Sequence, residues 1–495
     1  MKHILLIIFT TTALLGYTQS AGNLDFDFNG NGIWNKSLAT ENDIVYQIAT
    51  DNQNKIILAG NADSSSLGIS LLTISRLNPD GSFDNSFSSD GIVKTIIDNK
   101  NFQVVKLLVQ NDRKIIAVCG GNNELALVRL NANGSLDNTF SFDGKVVTNA
   151  ITLPRTATLD KDGNIFVLGD KGVSGSDLVI AKFNSSGSLD VNFGTAGVKT
   201  TSLVFDVRAK SIFVDNDANI YVGGHYYSSQ SGKLFLTRLT SSGNVDFNFI
   251  GSTGYSSVVF NQSAVMTDMQ PSKNGGFIVL GQSSDGICLA KFAANGKLIA
   301  QFGNGGRAEY LFGLKSIYST GLAEQPDGKI LVGGHVFNTA LESYFIAARF
   351  EENGAIDNSF GTNGYKLIAM SSKPMVEWPS SYATCLQADF RFLIAGTVGP
   401  PNGLNMTITR VLTGVVSDIN ELENVVKTRI FVANNIVTVH SPNESRLNLI
   451  DFTGRKLESF NLSSGTSQLN LGYLPDGIYF LKEGKETFKV VVSKY

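Results

Sequence analysis

Seven short runs of β-branched and aliphatic residues, each ending in a small residue, recur along the chain: Lys55 to Gly60, Lys114 to Gly120, Asn164 to Gly169, Asn219 to Gly224, Gly276 to Gly281, Lys329 to Gly334 and Arg391 to Gly396. Runs this short, bounded by turn residues, predict strands rather than helices. Before most of them stands a turn such as Asp160-Lys161-Asp162-Gly163, Asp215-Asn216-Asp217 or Pro326-Asp327-Gly328, which closes a hairpin with a preceding strand. After each run a third strand leads into a basic residue followed by Leu, Phe or Val. A fourth strand then starts after a glycine, as in Gly91-Ile92-Val93-Lys94-Thr95. The pattern predicts an all-β chain with four strands in each repeat.

The basic residue opens a recurring phrase. Arg76-Leu77-Asn78-Pro79-Asp80-Gly81-Ser82-Phe83-Asp84-Asn85-Ser86-Phe87 is followed by Arg129-Leu130 to Phe140, Lys182-Phe183 to Phe193, Arg238-Leu239 to Phe249, Lys291-Phe292 to Phe302 and Arg349-Phe350 to Phe360. The closing Phe residues are 53 to 58 positions apart, too long for a solenoid coil and right for a four-stranded blade. Arg410-Val411 is a worn seventh anchor. The second half of its copy stands at the other end of the chain, where Leu24-Asp25-Phe26-Asp27-Phe28 precedes Gly32-Ile33-Trp34. The fold predicted is a seven-bladed β-propeller in which the N-terminal strand closes the last blade and removes two free sheet edges.

Each conserved column of the phrase has a structural task. The glycines at 81, 134, 187, 243, 296 and 354 suit a turn position with positive φ. The Phe column is expected to wedge between blades. The Asp column, at 25, 84, 137, 190, 246 and 357, is expected to accept turn amides and to face the basic anchor. Ile299 breaks that column in the fifth copy. The phrase, with its following Lys-Ile-Ile strand, resembles the delta-60 repeat, a β-propeller repeat of bacterial secreted proteins, over residues 24 to 412. The resemblance implies the propeller fold and brings no general activity with it.

The N-terminus, Met1-Lys2-His3 followed by an apolar run from Ile4 to Leu15 and then small and polar residues, reads as a secretory signal peptide over residues 1–20, with cleavage between 18 and 21. A buried N-terminal strand or helix is the bland alternative. No later stretch is long enough to be a transmembrane helix. With 43 acidic and 40 basic side chains the chain lacks the basic excess of a nucleic-acid binder. Three cysteines, Cys119, Cys288 and Cys385, fall in different, non-adjacent blades and are expected to be buried free thiols.

Past Leu412 the pattern changes. Residues 413–424 read as an acidic linker, and short alternating strands without the phrase fill residues 425–495. Leu447 to Leu457, then Leu474-Pro475-Asp476-Gly477-Ile478-Tyr479-Phe480, then Lys489 to Val492 resemble the type A C-terminal sorting domain of the type IX secretion system, although the usual Tyr-Pro-Asn-Pro opening is absent. That resemblance implies a small Ig-like β-sandwich that engages the type IX machinery and sends the protein outside the cell. An ordinary Ig-like accessory module is the alternative reading.

Candidate chemistry is sparse. Val-Gly-Gly-His225 and Val-Gly-Gly-His335 occupy equivalent places at the ends of second strands, in a column otherwise filled by Asn61, Gly120, Asp170, Gln282 and Thr397. A ring of mixed polar residues opening the loops on one face is what a ligand surface needs, which makes His225 and His335 candidate binding residues. A whole blade lies between them, so they read as exposed loop residues rather than one metal site. Tyr226, Tyr227, Phe337, Tyr344 and Trp378 are aromatics not used by the repeat, and on the loop face opposite the Asp-Gly turns they would either stack on a glycan or protein ligand or pack on the blade tops. No catalytic set, metal set or cofactor motif stands out. A secreted or cell-surface binding propeller is therefore favoured over a polysaccharide-active or other hydrolytic enzyme, and over a purely structural component.

Overall fold

The computed structural model describes residues 20–38, 42–64, 68–170, 177–203, 205–228, 231–284, 286–314, 316–338, 340, 342–370, 379–400 and 403–414 and, further on, 429–433, 436–441, 445–451, 454–462, 465–471, 473–475, 477–483 and 486–492. The signal segment, most of the acidic linker and Trp378 lie outside them. The chain divides into two compact units, Met1–Val415 and Val416–Tyr495.

In the first unit the strands form seven four-stranded antiparallel sheets. Blade 1, for example, runs from an innermost strand Asp43–Thr50 through Ile56–Ser64 and Ile69–Leu77 to the outermost Ile92–Thr95. The innermost strands of the next six blades are Gln103–Val109, Leu153–Leu159, Arg208–Val214, Val265–Pro271, Ser316–Glu324 and Ser380–Leu386. Each packs beside the next, and the seventh packs beside the first, so the sheets form a closed ring. This is a seven-bladed propeller.

Blade 7 is built from both ends of the unit. Its outermost strand is Ile33–Lys36, antiparallel to Asn405–Val411, with Trp34 opposite Ile408. A further bridge joins Leu24 to Val411, and Gly22 and Asp25 donate backbone hydrogen bonds to Leu412 and Arg410. Trp34 is buried with Phe28, Val45, Leu393 and Ile408, and meets the Phe83 ring edge-on at 5.8 Å. The closing strand thereby joins blade 7 to blade 1.

The repeat phrase holds neighbouring blades together on the opposite side from the loops. Arg76 pairs through Nε with Asp84 at 2.8 Å, lies over the Phe87 ring at 4.7 Å, and donates through Nη1 to Ala132 O of blade 2. Arg129, Arg349 and Arg410 repeat the arrangement with Asp137, Asp357 and Asp25, reaching Ser185, Thr413 and Pro79. The turn glycine is forced by the same contact. Gly134 has φ +89°, and a β-carbon there would sit 3.1 Å from the Phe87 ring of the preceding blade. Burial pushes the Asp84 carboxyl up, but the Ser86 hydrogen bonds and the Arg76 charge outweigh it and hold it at about 2.

The second unit contains a three-stranded sheet, Arg429–Ala433, Ile436–Ser441 and Gly465–Asn470, and a four-stranded sheet, Lys456–Leu462, Ser445–Asp451, Gly477–Glu483 and Glu486–Val492. Leu447, Leu449, Leu462, Leu471, Tyr479 and Leu481 form its core, with Leu469 packed against them.

Trp34→Ala should destabilise the propeller by about 3–5 kcal/mol, the usual cost of emptying a buried aromatic site. Urea unfolding of wild type and variant gives the number. A loss below about 1 kcal/mol would mean that the closing strand is not part of the cooperative core.

Candidate binding face

Every innermost strand carries a β-bulge at the same place. The register shifts fall between Val45 and Gln47, Val104 and Lys106, Pro154 and Thr156, Ala209 and Ser211, Met266 and Asp268, Ser319 and Gly321, and Ser381 and Ala383. A bulge leaves one residue out of the ladder and re-aims its side chain. Here that residue is Tyr46, Val105, Arg155, Lys210, Thr267, Thr320 or Tyr382. Because the innermost strands encircle the axis, this column rings the central channel with seven positions and five residue types.

The ring has two unlike sides. In blades 7 and 1 it is aromatic, where Tyr382 meets Tyr46 edge-on at 5.5 Å. Blade 6 contributes Thr320 to the ring, and Tyr318, two residues before it on the same strand, stacks on His335 at 4.8 Å with Phe337 at 6.2 Å. Tyr318 and Tyr382 are 41% and 39% exposed. In blades 3 and 4 it is basic. Arg155 is exposed and pairs with Asp170 at 2.8 Å; Lys210 and Arg208 are exposed beside it. Although its surface is open, the protein atoms crowded around Lys210 cost its ammonium part of its hydration, and this, then the Arg155 charge, lowers it.

The structure corrects the reading of the two histidines. Both lie on strands, His225 in Ile220–Ser228 and His335 in Ile330–Phe337, and they are not loop residues. His225 is 6% exposed and His335 half-buried. Each Nδ1 accepts a backbone N–H from the innermost strand of the following blade, from Met266 at 3.4 Å and from Ser381 at 3.2 Å. Asn61 does the same work in blade 1, accepting from Val104 and donating to Phe102 O. In these three blades the column position therefore fastens one blade to the next near the loops, as the Arg column does near the turns. Asn and His both serve because each presents an acceptor to the neighbouring strand's N–H.

The predicted aromatics separate in the same way. Tyr226 is 8% exposed, stacked on Phe205 at 3.9 Å within a cluster that includes Phe235 and Tyr255, so it belongs to the core. Strand alternation explains the difference from its neighbour: Tyr227 points to the other side, 55% exposed, with its ring edge-on to His225 at 5.7 Å. Phe337 is half-buried, and Tyr344 is half-buried with its hydroxyl donating to Glu342 at 2.7 Å. Tyr318, Tyr382, Arg155 and Lys210 were not singled out from the sequence. The available signal was the extra residue in each first strand, which breaks its apolar alternation by one. Of the cysteines, Cys119 and Cys288 are buried, and burial pushes both thiols up to about 12; Cys385 is half-buried, 3.6 Å from the Thr50 hydroxyl, which corrects the expectation of three fully buried thiols. Among the described residues no group of three or more His, Cys, Asp or Glu is placed to hold a metal ion, and no helix is long and apolar enough to cross a membrane.

Residues 54–87, 110–140, 161–193 and 325–360 match the family described as a domain of unknown function (DUF5122) beta-propeller, and residues 433–494 match the secretion system C-terminal sorting domain. No curated protein matches the chain. Among solved structures, PorZ, an essential bacterial surface component of the type-IX secretion system of Porphyromonas gingivalis, is similar at 13% identity, covering 91% of this chain and 59% of its own, with a TM-score of 0.40. A catalytically inactive virginiamycin B lyase from Staphylococcus aureus is similar at 10% identity over 76% of this chain and 98% of its own, with a TM-score of 0.45. Regucalcin from Agrobacterium tumefaciens is similar at 11% identity over 64% and 96%, with a TM-score of 0.34.

The histidine contacts make stability depend on pH in a defined window. Burial holds both imidazoles at about 4, against 6.5 in the unfolded chain. As pH falls below 6.5 the unfolded chain takes up protons that the folded one refuses, so stability should drop steadily between pH 6.5 and 4. The double variant His225→Gln, His335→Gln should flatten this slope in chemical denaturation followed across that range. An unchanged slope would assign it to other groups.

Proposed function

We propose, for a chain that carries DUF5122-type β-propeller repeats and ends in a type IX secretion system sorting domain, that it is a non-catalytic binding propeller whose ligand docks on the loop face at the mouth of the channel. The sorting domain marks the protein as secreted or attached to the outer cell surface. The observation that carries the binding reading is the unlike pair of sides of the bulge ring, aromatic at Tyr382 and Tyr46, with Tyr318 two residues before the blade 6 bulge, and basic at Arg155 and Lys210, with Arg208 two residues before Lys210. A repeat scaffold that keeps its bulges but varies what stands on them builds an asymmetric surface from a symmetric ring. Exposed aromatic rings on one side of the channel mouth and cations on the other suit a glycan, above all an acidic one, or an acidic protein segment. Tyr227 and Phe337 extend the proposed surface. His225 and Tyr226 are withdrawn from it because they are buried.

The test combines glycan-array binding with hydrolysis assays on the same panel. Replacing Tyr227, Tyr318 and Tyr382 together by Ala should weaken binding by about tenfold or more, as loss of aromatic anchors does, while the unfolding midpoint stays within a few degrees. Turnover of any glycan by the wild type would favour the hydrolytic reading instead. Equal binding by the variant would remove the loop face from consideration.

The type IX machinery is the partner proposed for residues 425–495. Truncation after Val416 should leave a folded propeller, because the first unit has its own cores, but strand it in the periplasm. Fractionation of the producing cells reads the outcome. Normal appearance of the truncated protein in the medium would contradict it.

A further inference from the structure

The repeat shows five times how this scaffold holds a guanidinium. Arg76, Arg129, Arg238, Arg349 and Arg410 lie over Phe87, Phe140, Phe249, Phe360 and Phe28 at 4.5 to 4.8 Å. In four of the five, Nη1 also donates to the carbonyl three residues past the anchor of the next blade.

Blade 5 keeps the backbone of this arrangement and loses its side chains. Ile299 N donates to Lys291 O, Phe302 N to Ile299 O and Gly303 N to Asn353 O, matching Asp84 to Arg76, Phe87 to Asp84 and Ser88 to Asn133 in blade 1. Yet the anchor is Lys291, the Asp position holds Ile299, and the place of Lys55 and Lys114 is taken by Gly276. A single ammonium cannot supply the second arm of a guanidinium fork. Lys291, 4% exposed, turns instead to Glu324 of blade 6 at 3.4 Å. Where the arginine would lie, a cavity of about 540 Å³ opens between blades 5 and 6, lined by Asn274, Lys291, Ile299, Phe302, Glu351 and Glu352, among others. Glu352 stands three residues past Arg349, the position whose carbonyl receives the guanidinium elsewhere.

We propose that this cavity, on the turn face and away from the loop surface, is a binding site for an arginine side chain presented by a peptide or protein. The incoming guanidinium takes the place that the chain's own arginine occupies in other blades, with Ile299 and Phe302 against its stem and the Glu352 carbonyl as acceptor. The charges around the cavity favour a cation. Lys291 is paired with Glu324, and Lys329 with Glu351 at 2.9 Å and Asp357 at 2.8 Å. Glu352 accepts a hydrogen bond from Asn274 at 2.8 Å and, among the described residues, forms no ion pair. At this volume the site takes more than the guanidinium head, so the residue that bears it enters as well.

The experiment is calorimetric titration of the full chain with the tripeptide Gly-Arg-Gly and, as control, Gly-Lys-Gly. The arginine peptide should bind, with the lysine peptide about tenfold weaker or worse, because it lacks the planar fork. Lys291→Arg supplies the guanidinium from within; it should abolish binding and raise the unfolding midpoint. Glu352→Gln leaves the fold intact and should weaken binding about tenfold. Replacing Tyr227, Tyr318 and Tyr382 should leave this titration unchanged, which separates the site from the loop face. No binding of the arginine peptide, equal binding of the two peptides, or binding unaffected by both Lys291→Arg and Glu352→Gln would overturn the assignment.

Discussion

A ring of sheets has to be closed, and in this molecule the closing contact is the pairing of Ile33–Lys36 with the strand Asn405–Val411. Without it, blade 7 would present an unpaired strand edge, and the Trp34 side chain would leave a core shared with blade 1. The contact joins residues from opposite ends of the propeller sequence, so it closes a very long loop. Everything else joins blade to neighbouring blade. Arg410 belongs to the same junction: it pairs with Asp25 from the N-terminal segment at 2.9 Å, lies over Phe28 and donates to Pro79 O of blade 1.

Two columns fasten the blades, one at each face, and they divide the work between structure and recognition. On the turn face, the Arg, Asp, Gly and Phe positions are mutually dependent. The guanidinium needs the carboxylate and the ring, and the ring needs a neighbour without a β-carbon, as at Gly134. That leaves little room for variation, and the phrase recurs nearly unchanged. On the loop face, three junctions are fastened by a single side chain each, Asn61, His225 and His335. The residues around them, including the bulge ring, are then free to differ from blade to blade.

This division explains what could be read from the sequence. The seven blades, the turn glycines and the Asp that faces the basic anchor rest on spacing and repetition, which a sequence displays directly, whereas the C-terminal sorting domain was legible through its resemblance to a known family. His225 and Tyr226 could not be placed that way. Burial of one face of a strand beyond the repeated phrase depends on how the next blade leans against it, and the exposed and buried tyrosines are adjacent in sequence. The bulge ring was hidden for a related reason: one extra residue per innermost strand moves no motif, yet it turns Arg155, Lys210 and Tyr382 toward the axis. The blade 5 exception was visible as Ile299, but the cavity it opens could be seen only with Glu352 of blade 6 beside it.

The central claim is that the ring behaves as one cooperative body because the two ends of the propeller sequence share a blade. Native-state amide hydrogen exchange tests it most directly, by comparing the inward-facing amides of Trp34 and Lys36, and those of Met406–Thr409, with the second strand of blade 2, Ile115–Gly121. The account predicts that the closing amides exchange only through global unfolding, with the same opening free energy as the blade 2 strand. Exchange of Trp34 and Lys36 through a much cheaper local opening, with the remaining blades still protected, would show that closure is an ornament of the ring rather than its constraint.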